Sequence, residues 1–396
     1  MKVLIISHMY PSTLNEIGGI FVHQQVKELQ KQGCKIKVIS PRPWTPFPIK
    51  YLSKKWKGYS KIPEKTVWEE IEIFCPRYLE FPKALFFTSS GRRMYRGIKK
   101  TVAKIYKDFR FDIIHAHVAL PDGYAGMISA KKYKKPLIVT IHGQDFQQTI
   151  YKNKKCKKNI EKIINFSKKT IVVSNKLKGI GETKLNINPQ RLITVPNGID
   201  IEDIYQKKTS LTEKYQGKKI ILSISNLIKI KGIDYNIKAI ANLKKKYPDL
   251  IYLIIGAGGE RKNLENSARE LKIENYVEFL GLLPHNKTME YVSICDIFSL
   301  PSWNEGFGIV YLEAMAYSKP VIACSGQGIE DIIRHKETGI LVEPKNINNL
   351  TEEMNLLLSN TEKAKEMGER GKKIVMENYT WSQVAAKIIK IYQNII

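Results

Sequence analysis

Short apolar runs recur along the whole chain, each ending in a glycine- or proline-bearing turn, and between them apolar residues fall at helical spacing. Lys2-Val3-Leu4-Ile5-Ile6-Ser7 is the first run. After Gly18-Gly19, residues Phe21, Val22, Val26 and Leu29 mark one stripe of a helix that closes at Gly33, and residues 35–40 supply the next run. A strand, a helix and a strand in that order form a βαβ unit with parallel strands. Residues 112–117, 136–141, 170–174 and 192–195 continue the series, and Pro196-Asn197-Gly198-Ile199-Asp200 ends it with a turn-rich breaker taken as the domain hinge. A second series of six runs follows, at residues 219–225, 251–255, 276–280, 297–300, 320–323 and 339–342. The predicted class is α/β, with two parallel-sheet domains and no short repeat that would indicate a solenoid.

One stretch interrupts the pattern. Between residues 41 and 97, Pro43, Pro46, Pro48, Pro63, Pro76 and Pro82 break any long helix, and the segment reads as an insertion or a set of long loops. At the other end, from Tyr379 onward, Val384, Ile388, Ile389 and Tyr392 lie on or near one face of an amphipathic helix able to close either domain.

Candidate chemistry sits where the runs end, since ligands of open α/β sheets gather at the carboxyl ends of the strands. Ile297–Leu300 leads into Pro301-Ser302-Trp303-Asn304-Glu305-Gly306-Phe307-Gly308-Ile309 and then a helical pattern containing Glu313 about two turns in. A helix start offers unpaired N–H groups and a positive dipole end, and glycine lets a diphosphate come close. Glu305 stands at the mouth to meet a sugar, and Glu313 is placed to take ribose hydroxyls, although alone it also reads as an ordinary exposed helix residue. Lys231, in Asn226-Leu227-Ile228-Lys229-Ile230-Lys231-Gly232, and the Gly256-Ala257-Gly258-Gly259 turn end two other runs. His117 and His142 end two runs of the first half, and each is a candidate substrate contact beside the usual structural role of a lone histidine.

Composition narrows the partners. The 396 residues exceed one typical core, and 43% hydrophobic content is enough to bury two. No apolar run approaches the roughly 20 residues of a spanning helix. Five scattered cysteines without a CxxC pair fit a reducing cytoplasm better than a disulfide framework or a zinc site. The net charge of +27 calls for an anionic partner: nucleic acid, an acidic membrane face or a phosphate-bearing substrate. Nucleic acid is disfavoured because no basic recognition helix or stacking-aromatic motif is present. Phe81-Pro82-Lys83-Ala84-Leu85-Phe86-Phe87, flanked by Arg77 and by Arg92, Arg93 and Arg96, has the make-up of an interfacial membrane contact, and equally of a helix packed on its own domain.

Taken in order, Gly18-Gly19, His117 in its His-x-His end, Thr140-Ile141-His142-Gly143, Val195 to Asp200, Lys231-Gly232 and Glu305 through Glu313 resemble the retaining glycosyltransferases of family 4 with the GT-B fold, over nearly the whole sequence. The resemblance implies two Rossmann-like domains facing each other across a cleft: an acceptor domain (residues 1–198), a nucleotide-sugar domain (199–378) and a last helix (379–396) that crosses back to the first. It implies metal-independent transfer, with retention, of a sugar from a nucleotide-sugar, read as a UDP-sugar, to a hydroxyl of a lipid-linked or cell-surface polysaccharide precursor. No cofactor and no metal are expected, and the sequence has no Asp-x-Asp. Carried over, His117, Lys231 and Glu305 are catalytic. Gly19, Asn226, Lys231, Gly306, Phe307, Gly308, Ile309 and Glu313 bind the donor, and His142 contacts acceptor or sugar. Asn226 stands where many members carry arginine, so a diphosphate charge is missing unless Lys229 or another cation supplies it. The expected location is the cytoplasm, peripheral on the inner face of the cell membrane. The alternatives are a nucleotide-sugar epimerase and a non-catalytic nucleotide-sugar binder on the same fold.

Overall fold

The computed structural model describes residues 1–51, 53–200 and 210–396. It divides into two compact units, Met1–Gly198 with Trp381–Ile396, and Ile199–Thr380.

The first unit holds β1 (Lys2–Ile6), β2 (Lys35–Ile39), β3 (Arg42–Pro43), β4 (Lys65–Trp68), β5 (Ile71–Phe74), β6 (Arg77–Tyr78), β7 (Ile113–His117), β8 (Leu137–Ile141), β9 (Lys169–Val172) and β10 (Leu192–Thr194). Eight of them form one sheet in the order β10-β9-β8-β7-β1-β2-β5-β4, and β3 pairs with β6 apart from it. All neighbours in the large sheet run parallel except β4 and β5. β7 and β8 are buried at every position, which is why they read as largely apolar runs broken only by His115, His117 and Thr140. Ile5 lies opposite Val38 on one side and His115 on the other, so the chain order reverses at β1 and the crevice of the sheet opens between β1 and β7.

The segment expected to be loops contains ordered elements. A helix runs from Lys54 to Lys61, β5 extends the sheet beside β2, β4 returns antiparallel at its edge, and a 20-residue helix starts at Ser90. The prolines stand outside these elements or at their ends, where a missing N–H costs no ladder bond. The β4–β5 hairpin was hidden because its two-residue turn is Glu69-Glu70, with φ of 45° and 65°, in place of the Asn-Gly or Asp-Gly that such turns favour.

Trp381–Gln393 is the helix anticipated from the apolar stripe, and it packs in the first unit. Val384, Ala385, Ile388 and Tyr392 join Val3, Ile5, Val22, Val26 and Leu29 in one core. Trp381 Nε1 donates to Gln24 Oε1 at 2.9 Å.

The second unit holds β11 (Lys219–Ile224), β12 (Leu250–Ile255), β13 (Val277–Gly281), β14 (Ile297–Leu300), β15 (Val321–Cys324) and β16 (Ile340–Val342), all parallel in the order β13-β12-β11-β14-β15-β16. Its reversal point lies at β11, which pairs with β12 and β14. The six runs read from the sequence match these strands to within a residue or two. Among the described residues no helix is long and apolar enough to cross a membrane.

Candidate functional site

In the second unit the loops after β11, β12, β14 and β15 are stitched together by backbone contacts that leave no room for side chains. Gly232 has φ 71°, and a Cβ there would stand 2.3 Å from the Pro301 carbonyl oxygen. The Trp303 N–H and the Ser302 hydroxyl both donate to the Ile230 carbonyl, at 3.1 Å each. Leu227 N–H donates to the Ala257 carbonyl at 2.9 Å, joining the glycine-rich turn to the lysine loop. On the other flank the Glu305 N–H donates to Gln327 Oε1 at 3.0 Å.

This stitching brings Lys231 and Glu305 together, 74 residues apart in the chain, with Nζ 2.5 Å from Oε2 and both side chains mostly buried. Gly308 caps the Ile309–Ala316 helix at φ 93°, and a Cβ there would meet the Tyr311 ring at 2.6 Å and Glu305 Cγ at 3.3 Å. A cation, a carboxylate and a glycine-capped helix start therefore meet at the end of β14. The helix begins later than the sequence suggested, so Glu313 is in its second turn rather than two turns inside. Its Oε1 pairs with His285 Nε2 at 2.9 Å.

Other predicted donor residues fall around this point. Gly306, Phe307 and Ile309 belong to the same loop and helix start. Phe307 is 3% exposed, so its side chain packs in the core and does not face a ligand. Asn226 is exposed at the end of β11, and Lys229 is exposed in the Lys229–Lys231 turn.

The first unit carries a second cluster. His117 ends β7, His142 follows β8, and their rings stack with Nδ1 of His117 3.0 Å from Nε2 of His142. His117 Nε2 and His142 Nδ1 are buried without a hydrogen-bond partner among the described residues. Burial drives His142 down to about 3 and His117 well below the usual imidazole value, the neighbouring imidazoles adding to the effect on His117. Both rings are therefore neutral at physiological pH. His115, on the same strand, bonds Tyr392 through Nδ1 at 2.6 Å and Thr140 through Nε2 at 2.7 Å, and burial lowers it to about 3. Gly19 caps the Ile20–Lys31 helix at φ 75°, with a Cβ position 1.7 Å from the Met9 carbonyl oxygen.

Sequence reasoning missed the pair next to these. His8, two residues beyond β1, places Nδ1 2.7 Å from Asp122 Oδ2, and its N–H donates to both Asp122 oxygens at 3.2 and 3.3 Å. Burial alone would lower the imidazole, but the charge and hydrogen bond of Asp122, with Asp145 and Glu80 behind it, hold His8 above its usual value. Asp122 is fully buried, and that burial raises its carboxyl even against His8. Asp145 takes the Ala119 and Leu120 N–H groups, yet burial pushes it up to about 6. The signal was there: His8, His117 and His142 all stand at the carboxyl ends of adjacent strands β1, β7 and β8. His285 and Gln327 left no such signal, because each reaches its partner only through the fold.

The sequence matches the family Glycosyltransferase Family 4 over residues 18–203 and the family Glycosyl transferases group 1 over residues 206–374. It is 28% identical over 89% of its length to a Bacillus subtilis glycosyltransferase assigned to teichuronic acid biosynthesis, of which it covers 88%. It is 29% identical over 76% of its length to N-acetyl-alpha-D-glucosaminyl L-malate synthase of Bacillus anthracis, of which it covers 79%. Among solved structures, sucrose-phosphate synthase of Thermosynechococcus elongatus superposes with a TM-score of 0.83 at 18% identity, covering all of this chain and 98% of that one. Anabaena Alr3699/HepE in complex with UDP superposes at 0.76 and 19% identity over the whole of both chains.

Proposed function

The chain belongs to glycosyltransferase family 4 and has the GT-B fold, and on that premise we propose that it transfers a sugar, with retention and without a metal, from a UDP-sugar to a hydroxyl of a lipid-linked or surface-polysaccharide precursor. The observation that carries this reading is the Lys231–Glu305 pair beside the Gly308-capped helix start.

The diphosphate takes the N–H groups and positive dipole of the helix start, with Lys231 as its counter-charge. Without donor, Glu305 neutralises Lys231. With donor, Lys231 turns to the leaving diphosphate and Glu305 is released to sugar hydroxyls. As the glycosidic bond breaks, charge grows on the diphosphate, and preorganised donors hold it better in the transition state than before. The departing phosphate takes the acceptor proton on the same face, so no protein base is needed. Glu313, steadied by His285, takes the ribose hydroxyls, and the neutral imidazoles of His117 and His142 offer uncharged hydrogen bonds to a sugar.

The acceptor class is supported by the teichuronic acid relative and by the surface of the first unit. Trp44, Phe47, Tyr51, Leu85 and Phe86 are exposed in the 41–97 segment, among exposed lysines and arginines, which suits the inner, anionic face of a membrane.

The test is nucleoside diphosphate release from a panel of UDP-, GDP- and ADP-sugars, with and without a lipid extract. Acceptor-dependent release from one donor is the expected result, and Lys231→Ala is expected to lower it roughly a hundredfold or more, the effect of removing one donor from a developing oxyanion. Release at the same rate without acceptor would indicate donor hydrolysis, and interconversion of the sugar without release would indicate an epimerase.

A further inference from the structure

A cavity of about 620 Å³ lies in the first unit, walled by the β1-to-helix loop on one side and by the start of the Lys54–Lys61 helix on the other. His8, Arg42, Lys54 and Lys55 line it, and none of its lining residues is a carboxylate. The four basic groups are not equivalent. Arg42 is committed to structure: its guanidinium donates to the carbonyls of Tyr10 at 2.8 Å and Pro11 at 3.1 Å, and so shapes the wall. It forms no salt bridge among the described residues, and its charge acts on the buried Asp122 carboxyl. Lys54 and Lys55 are exposed at the helix start and form no ion pair among the described residues. His8 is the aimed group. Asp122 holds Nδ1, the side chain remains 35% exposed, and Nε2 has no hydrogen-bond partner among the described residues.

Such a lining selects negative charge. A buried carboxylate behind an imidazole keeps the ring oriented and favours its protonated form, and Lys54 and Lys55 in a lining without carboxylates raise the local potential for an oxyanion. The donor's diphosphate has its own charges in the second unit, Lys231 and the Gly308-capped helix start, while Gly19, carried over as a donor contact, edges this cavity and makes UDP the competing occupant to be tested.

We infer that this cavity binds an oxyanion of the acceptor, a phosphate ester or a uronic acid carboxylate, with His8 Nε2, Lys54 and Lys55 as its contacts. The inference rests on the glycosyltransferase reading and adds to it an acceptor that carries negative charge close to the hydroxyl that is glycosylated. His8 serves as a binding group: its second nitrogen donates a hydrogen bond to the oxyanion, no covalent step involves it, and the departing phosphate remains the proton acceptor.

The experiment uses the full chain with isotope-labelled histidine, the His8 resonance being assigned by its loss in His8→Gln. Glucose 6-phosphate, glucuronate, glucose and UDP are titrated separately. A saturable shift of the His8 resonance with glucose 6-phosphate, glucuronate or both, and none with glucose or UDP, is the expected result; which of the two acts tells phosphate from carboxylate. The double variant Lys54→Ala, Lys55→Ala, which leaves the His8–Asp122 pair in place, is expected to weaken that binding about tenfold. A His8 shift with UDP equal to that with the anionic sugars would assign the cavity to the donor and overturn the inference, as would no shift with either anionic sugar. UDP binding followed by calorimetry in the wild type and in Lys231→Ala reports on the donor site separately, so failure of the transferase reading is distinguishable from failure of this one.

Discussion

Glu305 and Lys231 pose a competition at the scale of single residues. With 2.5 Å between charged atoms and little solvent, the carboxylate holds the cation that the diphosphate needs. Glu305→Gln removes the competitor, so nucleoside diphosphate is expected to bind several-fold tighter, in line with about 1 kcal/mol for a released charge-assisted bond. Turnover is expected to fall roughly a hundredfold, because the sugar loses its positioning group. Titration calorimetry and steady-state rates check the two halves, and equal loss of affinity and rate would show that Glu305 merely supports the loop. Gly232→Ala tests the stitching: at φ 71°, with a Cβ position 2.3 Å from a backbone carbonyl, it is expected to cost about 2 kcal/mol or more and to lower the melting temperature with donor binding. Motif residues such as Lys231, Glu305 and Gly308 were legible in the sequence because each ends a strand or starts a helix. His8–Asp122 and Glu313–His285 were not, since those partners lie 114 and 28 residues apart and only the fold aligns them.

Among the elements, the carboxyl ends of β7 and β8 show how burial sets charge. His115 and His142 are lowered to about 3, and His117 well below 6.5, so between those values the unfolded chain takes up protons that the folded one refuses. Stability of the first unit is therefore full above about pH 6.5 and falls as the pH drops toward about 3. Asp145 acts in the other direction: raised to about 6, it contributes stability that is lost as the pH rises through that value. Asp122 and His8, both raised, act with Asp145, while the lowered His23, Glu69 and Glu72 act with the three imidazoles, so the net expectation is acid destabilisation. Melting temperatures across this range check it, and a double His117→Asn, His142→Asn variant is expected to flatten the profile. Tyr392→Phe would leave His115 Nδ1 buried without its 2.6 Å partner, and a loss of about 1–3 kcal/mol is expected in denaturant unfolding.

For the whole molecule, the net charge of +27 and the exposed aromatic residues of the 41–97 segment combine into one expectation about membranes. Flotation with anionic vesicles is expected at low salt, weakening as the Debye length shrinks from about 30 Å at 0.01 M to about 8 Å at 0.15 M. A Phe47→Ser, Phe86→Ser variant, both side chains being exposed, is expected to float less without loss of fold. Binding that ignores salt would remove the electrostatic part of this reading. Retention is checked by the anomeric configuration of the product, and chelator is expected to leave the rate unchanged.

The chain's own periodicity determined the two parallel sheets, because a parallel strand buried on both faces must be a short apolar run whatever surrounds it. It determined the strand ends as well, and with them Lys231, Glu305, His117 and His142. Three things were decided only by tertiary structure. The β4–β5 hairpin turns through two glutamates held at positive φ by the strands they join, against their local preference. The apolar stripe after Trp381 fits any complementary face, and its choice of the first unit rests on the core around Val3, Ile5 and Leu29. The charge state of the histidines follows from burial and from the neighbour each meets: burial lowers the three rings of the sheet, and His8 is raised because Asp122 arrives beside it from far along the chain.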